Sequence, residues 1–174
     1  DSIDFSSPAA LTDPGACATV QFSVAQWGFV SSMVFRGGPV LLLDGKGRVT
    51  VPARWRELLE TEGPATLMVA KNPDRCLSLF PLPVWDRFEA LVLSLGAEHD
   101  AWRRIFIGSA TELEIDSAAR VLIPPELRAW AGLERDVKFM GLGAHFELWD
   151  ATRYEAREAE AIAKGRPEVL RNLV

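Results

Sequence analysis

The sequence predicts an α+β protein in which two tandem hairpin-bearing units pair into one pseudo-two-fold β-barrel flanked by helices. Two observations carry that prediction. The stretch Leu43-Asp44-Gly45-Lys46-Gly47-Arg48-Val49-Thr50-Val51-Pro52 returns as Ile115-Asp116-Ser117-Ala118-Ala119-Arg120-Val121-Leu122-Ile123-Pro124, matching an apolar residue, Asp, small or polar residues, Arg, alternating apolars and Pro. Each copy is then followed by the same succession of patterns, so both read strand, turn, strand, helix, strand, strand, helix.

Taken in order, residues 1–32 are poor in charge, rich in Ala and Ser, and lack the basic start of a targeting segment. Dense patterning opens at Met33, so the natural start is expected there, and 1–32 is expected to be an extension that is flexible or not native. The first unit is assigned to 33–95. Its helix over 53–59 puts Trp55, Leu58 and Leu59 on one face; strands over 67–71 and 76–80 are joined at Asn72-Pro73-Asp74; a helix over 84–95 carries Val84, Trp85, Phe88, Leu91 and Val92. A connecting helix is assigned to 96–110, with Trp102, Ile105 and Phe106 at helical spacing. The second unit, 111–163, repeats the scheme: a helix over 125–131 with Leu127, Trp130 and Ala131, strands over 137–142 and 145–149 meeting at Gly143, and a helix from 151 to about 164 with Tyr154 and Ile162. Residues 164–174 are left as a tail.

Units of about 70 residues have little core of their own, and short strands beside a turn leave unpaired edges. Pairing the two copies in one barrel meets both needs. Trp85 and Tyr154 on the outer helices either cover that barrel or contact a further copy of the chain.

Composition sets limits on function. The chain has 174 residues, 48% hydrophobic and 25% charged, which suits a folded soluble protein. Its apolar runs are broken by Arg, Asp, Gly or Pro well short of the roughly 18 residues of a membrane span. Cys17 and Cys76 are too few for a disulfide framework or a metal knuckle and fit a reducing, cytoplasmic compartment. The net charge of −5 argues against nucleic acid until it is located: Asp1, Asp4 and Asp13 lie in 1–32, which has no Lys or Arg, while Lys46, Arg48, Arg54 and Arg56 crowd 43–56 against Asp44 alone.

The candidate site is the turn Asp44 to Arg48. Gly45 and Gly47 suit positive φ or close approach, Asp44 can bind the turn's own amides, and Arg48 is held on a short two-stranded ribbon of the kind that fits the DNA major groove. Lys46 at the tip adds a phosphate contact, and Arg54 and Arg56 can reach the flanking backbone. The bland alternative is that Arg48 and Arg120 only pair with Asp44 and Asp116. Lys46 has no evident partner, and the second copy lacks both the lysine and the glycines, so the two turns are expected to be unequal. Neither His99 nor His145 has a Cys, His or carboxylate at metal-ligand spacing, and both are read as solvated or capping residues. Cys76 reads as a buried thiol, Gly45-Lys46-Gly47 lacks the spacing of a phosphate-binding loop, and Glu155, Glu158 and Glu160 mix with Arg153, Arg157 and Lys164 on a solvated helix face.

Together with Phe35-Arg36-Gly37, Leu79-Phe80-Pro81, Trp85 and Phe146-Glu147-Leu148-Trp149-Asp150, the duplicated Asp-x-x-x-Arg motif resembles the MraZ family within the wider AbrB-like swapped-hairpin regulators, over 33 to about 163. The resemblance implies a cytoplasmic, nucleoid-associated transcription factor that needs no cofactor or metal. It implies action at the promoter of the division and cell-wall gene cluster, usually as a repressor, on short G-rich direct repeats of double-stranded DNA, by a ring-shaped homo-oligomer. The motif arginine carries over to Arg48 and to Arg120, with Asp44, Asp116, Lys46, Arg54, Arg56 and Arg36 around them. Ala119 stands where a glycine before the arginine is common, which leaves open whether the second turn has the same shape and whether Arg120 makes a contact. Two other classes fit the sequence less well. An antitoxin-like protein-binding module would need a longer partner-binding tail than 166–174, and an enzyme would need a nucleophile, metal cluster or paired carboxylates that the sequence does not offer.

Overall fold

The computed structural model describes residues 34–60 and 66–171. The expectations for 1–32, for Met33 as the start and for Cys17 lie outside them, as does the end of the tail. Strands β1 (Phe35–Gly37), β2 (Val40–Leu42) and β3 (Arg48–Thr50) precede helix α1 (Ala53–Glu60), strands β4 (Thr66–Asn72) and β5 (Cys76–Pro81) and helix α2 (Leu82–Ser94). Helix α3 (Asp100–Phe106), flanked by single 3₁₀ turns, leads to β6 (Thr111–Glu114), β7 (Arg120–Leu122), α4 (Pro125–Ala131), β8 (Asp136–Gly143), β9 (His145–Asp150), α5 (Ala151–Ala163) and α6 (Glu168–Arg171).

The helices start and stop for local reasons. Proline at the first positions of α2 and α4 suits a helix start, where its missing N–H has no helical partner. Asp150 caps α5 by accepting from Arg153 N at 3.1 Å. Helix α4 ends on Gly132 in the left-handed conformation at φ 60°.

The strands exchange between the repeats. The large sheet runs β1-β8-β9-β5-β4-β6, with β2 also on β8 and all ladders antiparallel. The order reads the same from either end once the repeats are interchanged: β6 of the second repeat lies on β4 of the first, and β1 and β2 of the first lie on β8 of the second. A separate two-stranded sheet joins β3 to β7 about the pair Val49 and Val121. No ladder joins these sheets among the described residues, and no closed barrel is seen.

This corrects one expectation. The ribbon that carries Arg48 is not made by the strands on either side of its turn, because β2 pairs with β8 and β3 pairs with β7. Leu43 N donates to Arg135 O at 2.8 Å, so the chain before the turn is already taken by the other repeat. Exchange satisfies each short edge with a strand from the opposite copy, which a hairpin of three-residue strands cannot do alone.

The core lies where the exchanged strands meet α1 and α4. Trp55 packs against Phe139 and Phe146 at ring-centroid distances of 5.1 and 4.9 Å, and Phe35 against Phe146 at 4.1 Å. Leu59, Leu127, Ala131, Val49, Val121, Leu77 and Leu148 join the same cluster. Each fully buried Val, Leu or Phe side chain contributes about 1.5–3 kcal/mol, and the main cluster draws such residues from both repeats. Trp85 is buried between Phe80 and Phe88, and Tyr154 packs on Trp149, so both cover the sheet. His145 also departs from expectation: it is half-buried and stacked on Phe80, and burial lowers its pKa to about 4. Cys76 is fully buried, which pushes its thiol pKa up, and the acidic residues of α5 are exposed.

Candidate nucleic-acid interface

The two Asp-x-x-x-Arg turns have the same architecture. In the first, Asp44 Oδ1 accepts from Lys46 N and Arg48 N, both at 2.9 Å, while Oδ2 accepts from Arg48 Nε at 2.7 Å and faces Nη2 at 2.7 Å. In the second, Asp116 Oδ1 accepts from Ala118 N and Arg120 N at 2.9 Å, and Oδ2 from Arg120 Nε at 3.1 Å and Nη2 at 2.9 Å. The backbone closes both identically, with Asp44 N on Arg48 O, Gly47 N on Asp44 O, Asp116 N on Arg120 O and Ala119 N on Asp116 O. The second turn therefore has the shape of the first despite Ala119. Ala119 takes up the left-handed conformation at φ 59°, where Gly47 has 84°. Gly45 is not among the positive-φ residues and has open space around it, so only Gly47 of the two glycines meets a conformational demand.

Each carboxylate is saturated by donors, and this holds it ionised. The backbone N–H of Arg48, opposed by partial desolvation and aided by the Arg48 side chain and Lys46 N–H, lowers the Asp44 pKa to about 2. The Arg120 side chain, then its N–H, lowers that of Asp116. Both salt bridges thus persist across the neutral range. They use Nε and one edge of Nη2 in each guanidinium, which leaves Nη1 and the outer Nη2 hydrogen for another acceptor. Pairing with aspartate and readiness for a ligand are then one arrangement.

Strand exchange brings the two arginines to one face. Arg48 lies opposite Leu122, Thr50 opposite Arg120, and Val49 opposite Val121. Successive side chains alternate between faces, so Val49 and Val121, each 0% exposed, point into the core. Arg48, Thr50, Arg120 and Leu122 share the outward face, where the arginine side chains are 29% and 32% exposed and Leu122 is 54% exposed. The two arginine Cα atoms are roughly 8–9 Å apart by ladder geometry.

Not every predicted residue belongs to this face. Lys46 is exposed at the tip of the first turn, with no side-chain partner among the described residues. Arg56 lies on α1 and faces Glu60 at 3.8 Å. Arg54 stands over the Trp55 ring at 5.1 Å and beside Gly37, and Arg36 is exposed on β1 at the edge of the large sheet. Sequence reasoning missed Arg128: its guanidinium lies against Gly47 of the first turn. The only sequence signal was its place matching Arg56, with Gly132 where Arg56 has Glu60. Among the described residues, no group of His, Cys, Asp and Glu could hold a metal ion, and no helix is long and apolar enough to cross a membrane.

An internally duplicated, strand-exchanged α+β chain that sets two aspartate-held arginines on one two-stranded sheet defines a class of swapped-hairpin proteins. The family model described as "MraZ protein, putative antitoxin-like" matches residues 34–105 and again 106–171. The chain is 50% identical over 139 residues to "Transcriptional regulator MraZ" of Ralstonia pickettii (strain 12J), covering 80% of this chain and 98% of that protein. It is 49% identical, with the same coverage, to the proteins of that name from Burkholderia mallei (strain SAVP1) and Burkholderia pseudomallei (strain 668). The chain belongs to the MraZ family.

Proposed function

We propose that this protein is a DNA-binding transcriptional regulator that meets double-stranded DNA with the outward face of the β3–β7 sheet. The observation that carries the reading is the pair of guanidinium groups fixed on one narrow ribbon, each with its outer donors unused among the described residues. A ribbon of this width fits the major groove, and a fixed guanidinium matches either guanine O6 and N7 or a phosphate. Arg48 is the principal contact and Arg120 the lesser one, with Asp44 and Asp116 as positioning residues. Lys46 adds a phosphate contact, and Arg54, Arg56 and Arg36 lie toward the flanking backbone.

The relatives' printed name supports regulation of transcription. The family resemblance extends it to repression at the promoter of the division and cell-wall gene cluster, in the cytoplasm at the nucleoid, through short G-rich direct repeats. A ring-shaped homo-oligomer suits such repeats, because each weak contact gains from the effective concentration of its neighbours. The pseudo-two-fold barrel belongs to the same reading, with both sheets enclosing one core. The reading includes no catalytic step, cofactor or metal.

Fluorescence anisotropy on the DNA upstream of the protein's own coding sequence, at two salt concentrations, tests the proposal. Arg48→Ala is expected to weaken binding by about 5- to 160-fold, the range for one lost bidentate base contact, and Arg120→Ala by less. Unchanged binding in Arg48→Ala would remove the ribbon as reader. If the unaltered chain ignores DNA even at low salt and instead co-purifies with a second small protein, the antitoxin-like alternative takes its place.

A further inference from the structure

We propose that Arg128, carried on α4 of the second repeat, is a DNA-phosphate-binding residue of the first repeat's turn, and that Gly47 is the residue that admits it. This rests on the DNA-binding reading above and adds a residue and a direction to it. An ideal Cβ placed on Gly47 would lie 2.6 Å from both Nε and Cζ of Arg128 and 2.8 Å from its Nη1. The guanidinium therefore lies directly on the glycine backbone, and any other residue at 47 would displace it. That contact explains why Gly47 is buried while its neighbours Gly45 and Lys46 are exposed. Arg128 is brought there by backbone rather than by chance of rotamer: Ile123 N donates to Gly47 O at 2.9 Å, and α4 starts two residues later.

The electrostatics point outward. Arg128 has no carboxylate partner among the described residues, and its Nε is a buried donor with no hydrogen-bond partner. Burial of the unpaired Nε against Gly47 is costly and fixes the guanidinium in place, and its Nη donors, which are not buried and have no partner among the described residues, are the ones an anion at the turn would meet. At the matching place in the other half, Arg56 faces Glu60, and the turn residue is Ala119, whose Cβ keeps any guanidinium at van der Waals distance. Gly132, the residue that caps α4, stands at the place in the repeat that Glu60 holds at the end of α1. The first turn thus collects Lys46, Arg48 and Arg128 against Asp44, while at the second Arg120 is balanced by Asp116 and Arg56 by Glu60. The excess positive charge of the whole face sits at one end, and it needs both repeats to assemble.

The experiment measures anisotropy of the full chain on a duplex of its own upstream DNA over a salt series, for wild type, Arg128→Ala, Arg128→Lys, Arg56→Ala, Gly47→Ala and the double variant Gly47→Ala/Arg128→Ala. Exposed Arg87→Ala on α2 controls for a lost surface charge, and thermal unfolding checks that each variant is folded. Arg128→Ala is expected to weaken binding about tenfold and to reduce the log-log salt slope by about 0.9 per engaged chain, with Arg128→Lys keeping most of the slope. Arg56→Ala is expected to lose less than Arg128→Ala. Gly47→Ala is expected to weaken binding in the wild type and to add nothing once Arg128 is gone. An unchanged salt slope in Arg128→Ala, or an undiminished Gly47→Ala effect in the double variant, would overturn the assignment and leave Arg128 as packing alone. Failure of the wild type to bind would instead overturn the DNA reading beneath it.

Discussion

The first and second turns have one backbone and two surroundings. Hydrogen bond for hydrogen bond they coincide, down to the aspartate that holds its arginine through Oδ2 and two amides through Oδ1. They differ in what stands around them: Lys46 against Ala118, Gly47 against Ala119, and an Arg128 with no carboxylate partner among the described residues against an Arg56 that faces Glu60. Turn shape here depends on Asp and Arg, whereas glycine is needed only where another side chain must come close. Duplication kept the geometry and let the charge diverge.

The repeats can be set against each other elsewhere in the fold. The largest expected difference is in the helices that follow the turns. Trp55→Ala removes a side chain packed on Phe139 and Phe146 and should cost about 3–5 kcal/mol, against about 3 kcal/mol for Leu127→Ala at the matching place. Urea unfolding measures both, and a larger cost at Leu127 would show that the second repeat dominates the shared core.

A middle-sized effect separates the strand starts, where Cys76 of β5 corresponds to His145 of β9. Burial lowers the His145 pKa from 6.5 to about 4, so the folded state resists protonation. Its stabilising effect is complete above the unfolded value near 6.5 and is lost as pH falls toward 4, by on the order of 2 kcal/mol. Thermal unfolding between pH 7.5 and 4.5 should show that loss in the wild type, and His145→Cys, which borrows the first repeat's residue, should flatten it. An equal slope in the variant would move the effect to other groups.

The smallest effect tests the turn backbone itself. Ala119→Gly relieves a left-handed alanine, which costs about 1 kcal/mol, but loosens the unfolded chain by about 0.4–1 kcal/mol, so the net change should stay within about 1 kcal/mol. A melting curve checks it. A large destabilisation would mean that the alanine methyl, buried at 8% exposure, makes packing contacts that matter more than its backbone.

Much of this was legible before the fold was known. The helices following each turn, the paired strands and the Asp-x-x-x-Arg turns all lie close to where periodicity and turn residues put them, because apolar spacing and Asp or Gly at a bend act over a few residues. His145 was misread because its burial comes from Phe80, distant in sequence. Arg128 was passed over because nothing within α4 distinguishes it from a solvated arginine.

The chain's residue pattern by itself determined that there are two copies of one unit, what elements each contains, and that the first turn carries more positive charge. Only the tertiary structure decided that β3 pairs with β7 instead of β2, which sets Arg48 and Arg120 on one face, and that Arg128 reaches Gly47 across the repeats. The physical reason is range. Local pattern encodes which face of a strand is apolar, but Val49 and Val121 are equally satisfied by any partner that buries them, and the choice among partners is made by the packing of the whole core.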